Sequence, residues 1–254
     1  MTHRHTLQAL LAAAGLSLAL FVLPQFVPAL HWLAWPLVLL STLFHELGHG
    51  IAALLVGGGF EALRVYPDGS GVATTLSDGS RGMVALIAAG GPLGPPLTAL
   101  LLFVAARRAP WARIALWLLC VAFALALPLW LRNLFGIALV LVLAALAGLL
   151  AWRASARVAQ VVVCFLAIQL CLSAFSRADY LFTAEAQTGL GRMPSDTAQI
   201  ANVLWLPYWA WGGAIALLSL CILALGIVLF AGGLRASPAP ARPVPPPQGL
   251  PGQH

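Results

Sequence analysis

The sequence predicts an all-α polytopic membrane protein with six or seven transmembrane helices and one small β-hairpin. Hydrophobic residues make up 61% of the 254 residues and charged residues 8%, and the mean hydropathy is +0.96. These values lie outside the range of a soluble domain. Apolar runs of about 20 residues, the length that spans a bilayer, recur along the chain. One short region between them has strand-forming residues on both sides of a glycine-rich turn.

The predicted helical runs divide the chain into a membrane-embedded domain, residues 1–235, and a proline-rich tail, residues 236–254. The last run is interrupted by Pro207 and by Gly212-Gly213, so it can form a short helix followed by a spanning one. The composition of the tail favours disorder. The runs cover residues 7–27, 30–56, 83–106, 114–131, 134–152, 158–175 and 200–234.

The second run contains the most informative motif, T-L-F-H-E-L-G-H-G at residues 42–50. His45 and His49 are four residues apart, so on a helix both imidazoles lie on one face and can bind one metal ion. Glu46 can then take a proton from a metal-activated water. H-E-x-x-H is the zinc-hydrolase signature, and here it lies in a membrane-spanning sequence.

Three glycines, residues 57–59, end the motif helix, since they add backbone freedom that a helix must suppress. Residues 60–66 and 72–76 then read as two strands. The sequence P-D-G-S-G between them predicts the turn of a β-hairpin.

The third run is interrupted by G-G-P-L-G-P-P at residues 90–96. Three prolines remove three backbone donors, so the sequence predicts a broken helix here. Broken helices persist at membrane depth where protein or a water-filled cavity satisfies the freed backbone groups. We therefore expect this segment to line a cavity, although a kink with glycines for close helix packing is the alternative.

A catalytic zinc site usually has three protein ligands, so one ligand remains to be found beyond the two histidines. Asp68 and Asp78 lie in glycine-containing turns, where aspartate is common for backbone reasons. Asp196 is the preferred candidate, because it begins a helical run, and Asp179 is the second. For both, the alternative role is capping of a helix start.

Charge and cysteine patterns exclude other classes of protein. The net charge of +6 is spread thinly over single arginines at the ends of apolar segments, so no concentrated basic face for nucleic acid is present. Four cysteines fall inside apolar runs without C-x-x-C spacing, which predicts buried thiols rather than disulfides.

Together these motifs resemble the site-2 protease group of intramembrane zinc metallopeptidases, in particular its compact B-type membrane branch. The matching features are F-H-E-L-G-H-G, the glycine-rich turn with its P-D-G-S-G hairpin, G-G-P-L-G and Ser195-Asp196, within residues 42–207. The resemblance implies that His45, His49 and a distant aspartate bind Zn²⁺ and that Glu46 activates water. The family's N-x-x-P-x-x-x-L-D-G frame surrounds neither Asp196 nor Asp179, so both aspartates stay candidates.

The leading hypothesis is therefore an intramembrane zinc metalloprotease that hydrolyses peptide bonds of membrane-associated proteins or peptides. Its expected partners are that substrate and the lipid bilayer, with no nucleic acid, and its expected location is the cell (plasma) membrane. The alternative is a catalytically inactive membrane scaffold or partner-binding protein of the same fold. A metal-ion transporter is less favoured, because polar residues are not spaced along several helices.

Overall fold

A computed structural model describes residues 3–27, 31–176, 178–189 and 191–235. The proline-rich tail, residues 236–254, lies outside the described residues. The helices are α1 (His3–Phe26), α2 (His31–Leu55), α3 (Arg81–Ala106), α4 (Ala109–Leu129), α5 (Leu134–Arg153), α6 (Ala156–Ser176), α7 (Ala178–Leu181), α8 (Asp196–Val203) and α9 (Tyr208–Arg235). The strands are β1 (Gly59–Val65), β2 (Gly71–Leu76), β3 (Glu185–Thr188) and β4 (Gly191–Pro194).

Within these described ranges, six helices are long and apolar enough to cross a membrane: α2, α3, α4, α5, α6 and α9. In α1 the apolar stretch is shorter, Leu10–Leu20. The predicted class, a helical protein with six or seven such segments and a hairpin after the motif helix, is confirmed.

Side-chain size separates the inside of the helical bundle from its outside. Alanines at the helix interfaces, such as Ala99, Ala112 and Ala167, are completely buried. Large apolar side chains such as Leu118 and Val228 are exposed on the outer surface. Small residues let helices approach closely inside a membrane, while large apolar side chains are compatible with lipid. The surface is therefore suited to a hydrocarbon environment.

Helices α2 and α3 form the most extensive contact between two elements in the described chain. Glycines bring their backbones together: Gly48 lies against the carbonyl of Gly90 and the Cα of Gly94, and Gly94 lies against the carbonyl of Phe44. A Cβ atom on Gly48 would overlap the Gly90 carbonyl oxygen. This contact fixes the motif helix against α3.

The prediction that α3 is broken is wrong, because α3 is one continuous helix that contains Pro92, Pro95 and Pro96. Proline disfavours a helical conformation of the preceding residue mainly through clashes with that residue's Cβ and N–H. Gly91 precedes Pro92 and Gly94 precedes Pro95, so the Cβ clash is absent at both positions. All three prolines are buried within the protein, where helix breaks and missing donors are tolerated.

The predicted hairpin is present, with β1 and β2 antiparallel and a bulge between Phe60 and Ala62. The free edge of β1 is covered by the connection between α4 and α5: the N–H of Leu63 donates to the Trp130 carbonyl over 2.7 Å. Asn133 adds two hydrogen bonds to the backbone of Val65, at 2.7 and 3.3 Å. The hairpin is therefore held firmly on its β1 side, and the other edge of β2 has no partner strand in the described chain.

A second hairpin, β3–β4, precedes α8 and was not predicted from the sequence. Its tip contacts the tip of the first hairpin, where the N–H of Gly189 donates to Ser70 Oγ over 3.0 Å. Each strand has only four residues. Four residues are too few for an alternating pattern to distinguish a strand from a polar loop.

Candidate metal centre

Three side chains meet between α2 and the start of α8. The Nε2 atoms of His45 and His49 are 3.2 Å apart. Asp196 reaches both rings, with Oδ2 2.9 Å from His45 Nε2 and Oδ1 3.2 Å from His49 Nε2. These three residues are the described group of His, Cys, Asp and Glu side chains whose donor atoms lie close enough to hold one metal ion.

The separations of these donor atoms fit a tetrahedral metal ion. Zinc bonds to histidine nitrogen and carboxylate oxygen are about 2.0–2.1 Å long, so neighbouring donors around a tetrahedral zinc ion are about 3.3 Å apart. The two ring nitrogens are 3.2 Å apart, and each lies 2.9 or 3.2 Å from a different oxygen of the Asp196 carboxylate, distances close to this value. Two nitrogens and one oxygen also leave one tetrahedral position for water or substrate, as in catalytic zinc sites.

The backbone of α3 orients the second histidine. His49 Nδ1 is 2.8 Å from the carbonyl oxygen of Ile87, which accepts a hydrogen bond from the Nδ1 proton. The lone pair of Nε2 is then available to a metal ion. Gly91 gives the rings room, since a Cβ there would overlap His49 Nε2 and lie 2.8 Å from His45 Nε2. The G-G-P segment therefore lines the site, as the sequence predicted, although α3 is unbroken.

Asp196 is free to face the histidines because its neighbour caps the helix. Ser195 Oγ accepts a hydrogen bond from the N–H of Ala198 at 3.1 Å and donates to the carbonyl of Thr183 at 2.6 Å. Asp196 itself is 2% exposed. Burial acts to raise the pKa of this carboxyl group, but its interactions with His49 and His45 outweigh that effect and keep the pKa below its usual range. The side chain of Asp179, the other candidate, lies outside the described residues.

The sequence matches the model of the Peptidase M50B-like family over residues 11–226. The chain belongs to the Peptidase M50B-like family. Comparison with curated proteins and with solved structures gave no match. The match includes the motif helix, both hairpins and Asp196, and it ends inside α9. The predicted resemblance to the site-2 protease group is confirmed, and membership of this peptidase family together with the six apolar helices indicates a membrane-embedded protease.

Glu46 lies beside the donor atoms and is 7% exposed. The backbone of Ala73, in β2, hydrogen-bonds to its carboxylate. Gly71, at the start of β2, packs on the same side chain, since a Cβ there would lie 2.9 Å from Glu46 Oε1. The first hairpin therefore positions the glutamate of this M50B-like chain from the side opposite α3.

Tyr180, in α7, is a site residue that the sequence did not reveal. Its phenol donates a hydrogen bond to Asp196 Oδ2 over 3.2 Å, and its ring meets the His45 ring edge-on at 5.9 Å. Burial and the negative charge of Asp196 raise the pKa of Tyr180, so the phenol keeps its proton and remains a donor. No motif surrounds this tyrosine, and nothing in the sequence alone pointed to its contact with Asp196.

The remaining candidates from the sequence have structural roles. Asp68 Oδ1 accepts hydrogen bonds from the backbone and hydroxyl of Ser70, and Asp78 Oδ1 accepts from the N–H of Ser80. The hydrogen bonds from Ser80 lower the pKa of Asp78. All four cysteines are free thiols, as predicted, but their predicted burial is wrong for two of them: Cys164 and Cys171 are buried, whereas Cys120 is partly buried and Cys221 is exposed.

Proposed function

We propose that this chain is an intramembrane zinc metalloprotease that cleaves peptide bonds of membrane-associated proteins or peptides. The observation that carries the proposal is that Asp196, from α8, meets His45 and His49 beside Glu46 on α2, a helix long and apolar enough to cross a membrane. An ordinary spanning helix excludes such ionisable groups, since each is costly in hydrocarbon.

In this proposal His45, His49 and Asp196 hold the metal ion, and the two-nitrogen, one-oxygen donor set favours zinc. A bound Zn²⁺ polarises a carbonyl and makes a water molecule more acidic. The Ile87 carbonyl and the Tyr180 phenol keep the His49 ring and the Asp196 carboxylate in place. These contacts preorganise the donor atoms before substrate arrives.

Glu46 acts as the general base. Its carboxylate accepts the proton of the attacking water and then donates that proton to the amine that leaves when the peptide bond breaks. The contacts with Gly71 and Ala73 in β2 hold the carboxylate near the site during both transfers.

The substrate must be extended at the cleaved bond, because a helix hides its carbonyls in internal hydrogen bonds. The unpaired edge of β2 borders the cavity that contains His45, Glu46 and Asp196. An extended substrate segment can add to this edge by β-augmentation.

We propose that the protein resides in the plasma membrane. Fractionation of cells tests this location directly.

The test uses the purified full chain in proteoliposomes with a library of single-span reporter peptides. Glu46→Gln is expected to abolish cleavage while the protein keeps one zinc ion per chain, measured by mass spectrometry of the metal. Glu61→Gln is the matched control, since Glu61 is exposed on β1. Cleavage by Glu46→Gln, or wild-type protein without stoichiometric zinc, would contradict the proposal.

The inactive scaffold of the same fold makes a different prediction in cells. A scaffold should function normally with Glu46→Gln, because the substitution changes one atom of a buried side chain. The protease should lose function with the same substitution.

A further inference from the structure

A cavity of about 300 Å³ begins beside His45 and Glu46 and continues between the helices. Residues of both hairpins also line it, including Ser70 and Thr188. Two lining residues each lie one helical turn from another lining residue on the same helix. Ser41 precedes His45 by four residues in α2, and Ser219 follows Ile215 by four residues in α9. The cavity therefore extends beyond the reacting groups by roughly one turn, about 5.4 Å.

The inner end of this cavity is polar but uncharged. Its hydroxyl groups belong to Ser41, Ser173 and Ser219, and its apolar walls include Pro95 and Ile215. Among the described lining residues, the ionisable side chains are at the metal centre or, in the case of Glu185, on the exposed β3 strand. The inner end thus offers hydrogen bonds without a charge.

Ser219 is the most informative of these serines. It is 2% exposed, and within the described part of the chain its Oγ has no hydrogen-bond partner. It lies near the middle of the apolar segment Tyr208–Gly232, where a hydroxyl group without a partner is unfavourable. Its presence on the wall of an open cavity is explained if a ligand supplies the missing partner.

We infer that this cavity is the subsite for a substrate side chain next to the cleaved bond, and that it selects short side chains bearing a hydroxyl or an amide. The inference rests on the proposed protease function and names its substrate class. The volume exceeds the roughly 30 Å³ of one water molecule and lies at the lower end for ligand-binding pockets. A serine, threonine or asparagine side chain fits, and its polar group can pair with Ser219.

Other substrate side chains are disfavoured for physical reasons. A large apolar side chain would cover Ser219 and leave its hydroxyl without a partner, which a site built for hydrogen bonding penalises. A charged side chain would enter the middle of the apolar segment without a countercharge at the inner end. The cavity therefore discriminates by polarity.

Peptide hydroxamates test this inference without a known substrate, because the hydroxamate binds the catalytic metal of metallopeptidases. Two series of compounds each carry the side chain of serine, asparagine, leucine or phenylalanine. One series places this side chain on the N-terminal side of the chelating group and the other on the C-terminal side, so that both sides of the cleaved bond are covered. Binding to the zinc-loaded full chain in detergent is measured by titration calorimetry. In one series the serine and asparagine compounds should bind about five- to tenfold tighter than the leucine compound, the factor expected for one net hydrogen bond.

Ser219→Ala should remove this preference and leave thermal stability unchanged or raised, because it deletes an unpaired hydroxyl. Ser17→Ala is the matched control: Ser17 is 1% exposed, its Oγ also lacks a partner in the described chain, and it does not line the cavity. The control should keep the preference.

Two results overturn the inference alone: equal or tighter binding of the leucine and phenylalanine compounds in both series, or a preference that persists in Ser219→Ala. Failure of every hydroxamate to bind the zinc-loaded protein overturns the proposed metalloprotease as well. The two failures are therefore distinguishable.

Discussion

At the scale of single residues, the candidate metal centre depends on side chains that are far apart in the sequence. His45 and His49 are one helical turn apart and need only α2 to face each other. Asp196 reaches them from α8, and Tyr180 and Ser195 determine where its carboxylate lies. The position of the Asp196 carboxylate therefore depends on neighbouring residues more than the positions of the two histidine rings do.

Tyr180→Phe should weaken zinc binding, because it removes the hydrogen bond to Asp196 Oδ2 and keeps the ring packed on His45. Loss of such an outer contact typically costs about 10- to 100-fold in metal affinity. Competition with a fluorescent zinc chelator measures the change in affinity. Tyr208→Phe, at the start of α9, is the control. An unchanged affinity in Tyr180→Phe would show that Asp196 holds its position without the phenol.

The sequence predicted the residues of the site to different extents, for a physical reason. The spacing of His45, Glu46 and His49 is local, and the period of one helix is enough to place the histidines together. Asp196 could only be ranked above Asp179, because a ligand contributed by another helix leaves no pattern around itself. Tyr180 and Ser219 could not be found, since their roles depend on the ring contact of Tyr180 with His45 and on the packing of α9 against α3.

At the scale of elements, the contact between α2 and α3 requires glycine. Backbone atoms cannot withdraw as a flexible side chain can, so the overlap of any Cβ on Gly48 with the Gly90 carbonyl forces the helices apart. The same displacement would move Ile87 and Gly91 away from the histidine rings. Packing and site geometry are therefore coupled through this interface.

Gly48→Ala should destabilise the protein by about 1–3 kcal/mol, the usual cost of overpacking a close contact. Thermal unfolding in detergent provides the measurement, and zinc content should fall together with the melting temperature. Gly15→Ala is the control, because a Cβ on Gly15 meets no atom within 4 Å. At that exposed helical site alanine is expected to stabilise by about 0.5–1 kcal/mol. Equal melting temperatures for both variants would mean that α2 and α3 do not depend on this contact.

The elements themselves were predictable where their pattern was long. Apolar runs identified the long helices, and the P-D-G-S-G turn identified the first hairpin. The continuity of α3 was missed because three prolines normally end a helix, whereas here glycines precede two of them. The second hairpin was missed because its strands are too short to show a period.

At the scale of the whole molecule, the proposed metal ion joins α2 to α8 and so links distant parts of the bundle. A ligand that binds only the folded state stabilises it in proportion to the logarithm of its concentration over Kd, by about 2.7 kcal/mol at 100 times Kd. Removal of metal with a chelator should therefore lower the melting temperature of the wild-type protein.

The variant Asp196→Asn provides the comparison for this prediction. It preserves the size of the side chain but removes the charge of the proposed ligand, so the chelator should change its melting temperature much less. If the chelator lowers the melting temperatures of both proteins equally, the metal that it removes is not held by Asp196.

The distance along the chain between the paired histidines and Asp196 also has a consequence for biosynthesis. A ribosome completes α2 long before it reaches α8, so the emerging polypeptide carries both imidazoles for some time without the carboxylate that completes the set. A half-made copy therefore lacks the complete candidate metal centre while neighbouring nascent proteins enter the same bilayer. The order of translation itself therefore delays the proposed hydrolytic activity until α8 has been synthesised.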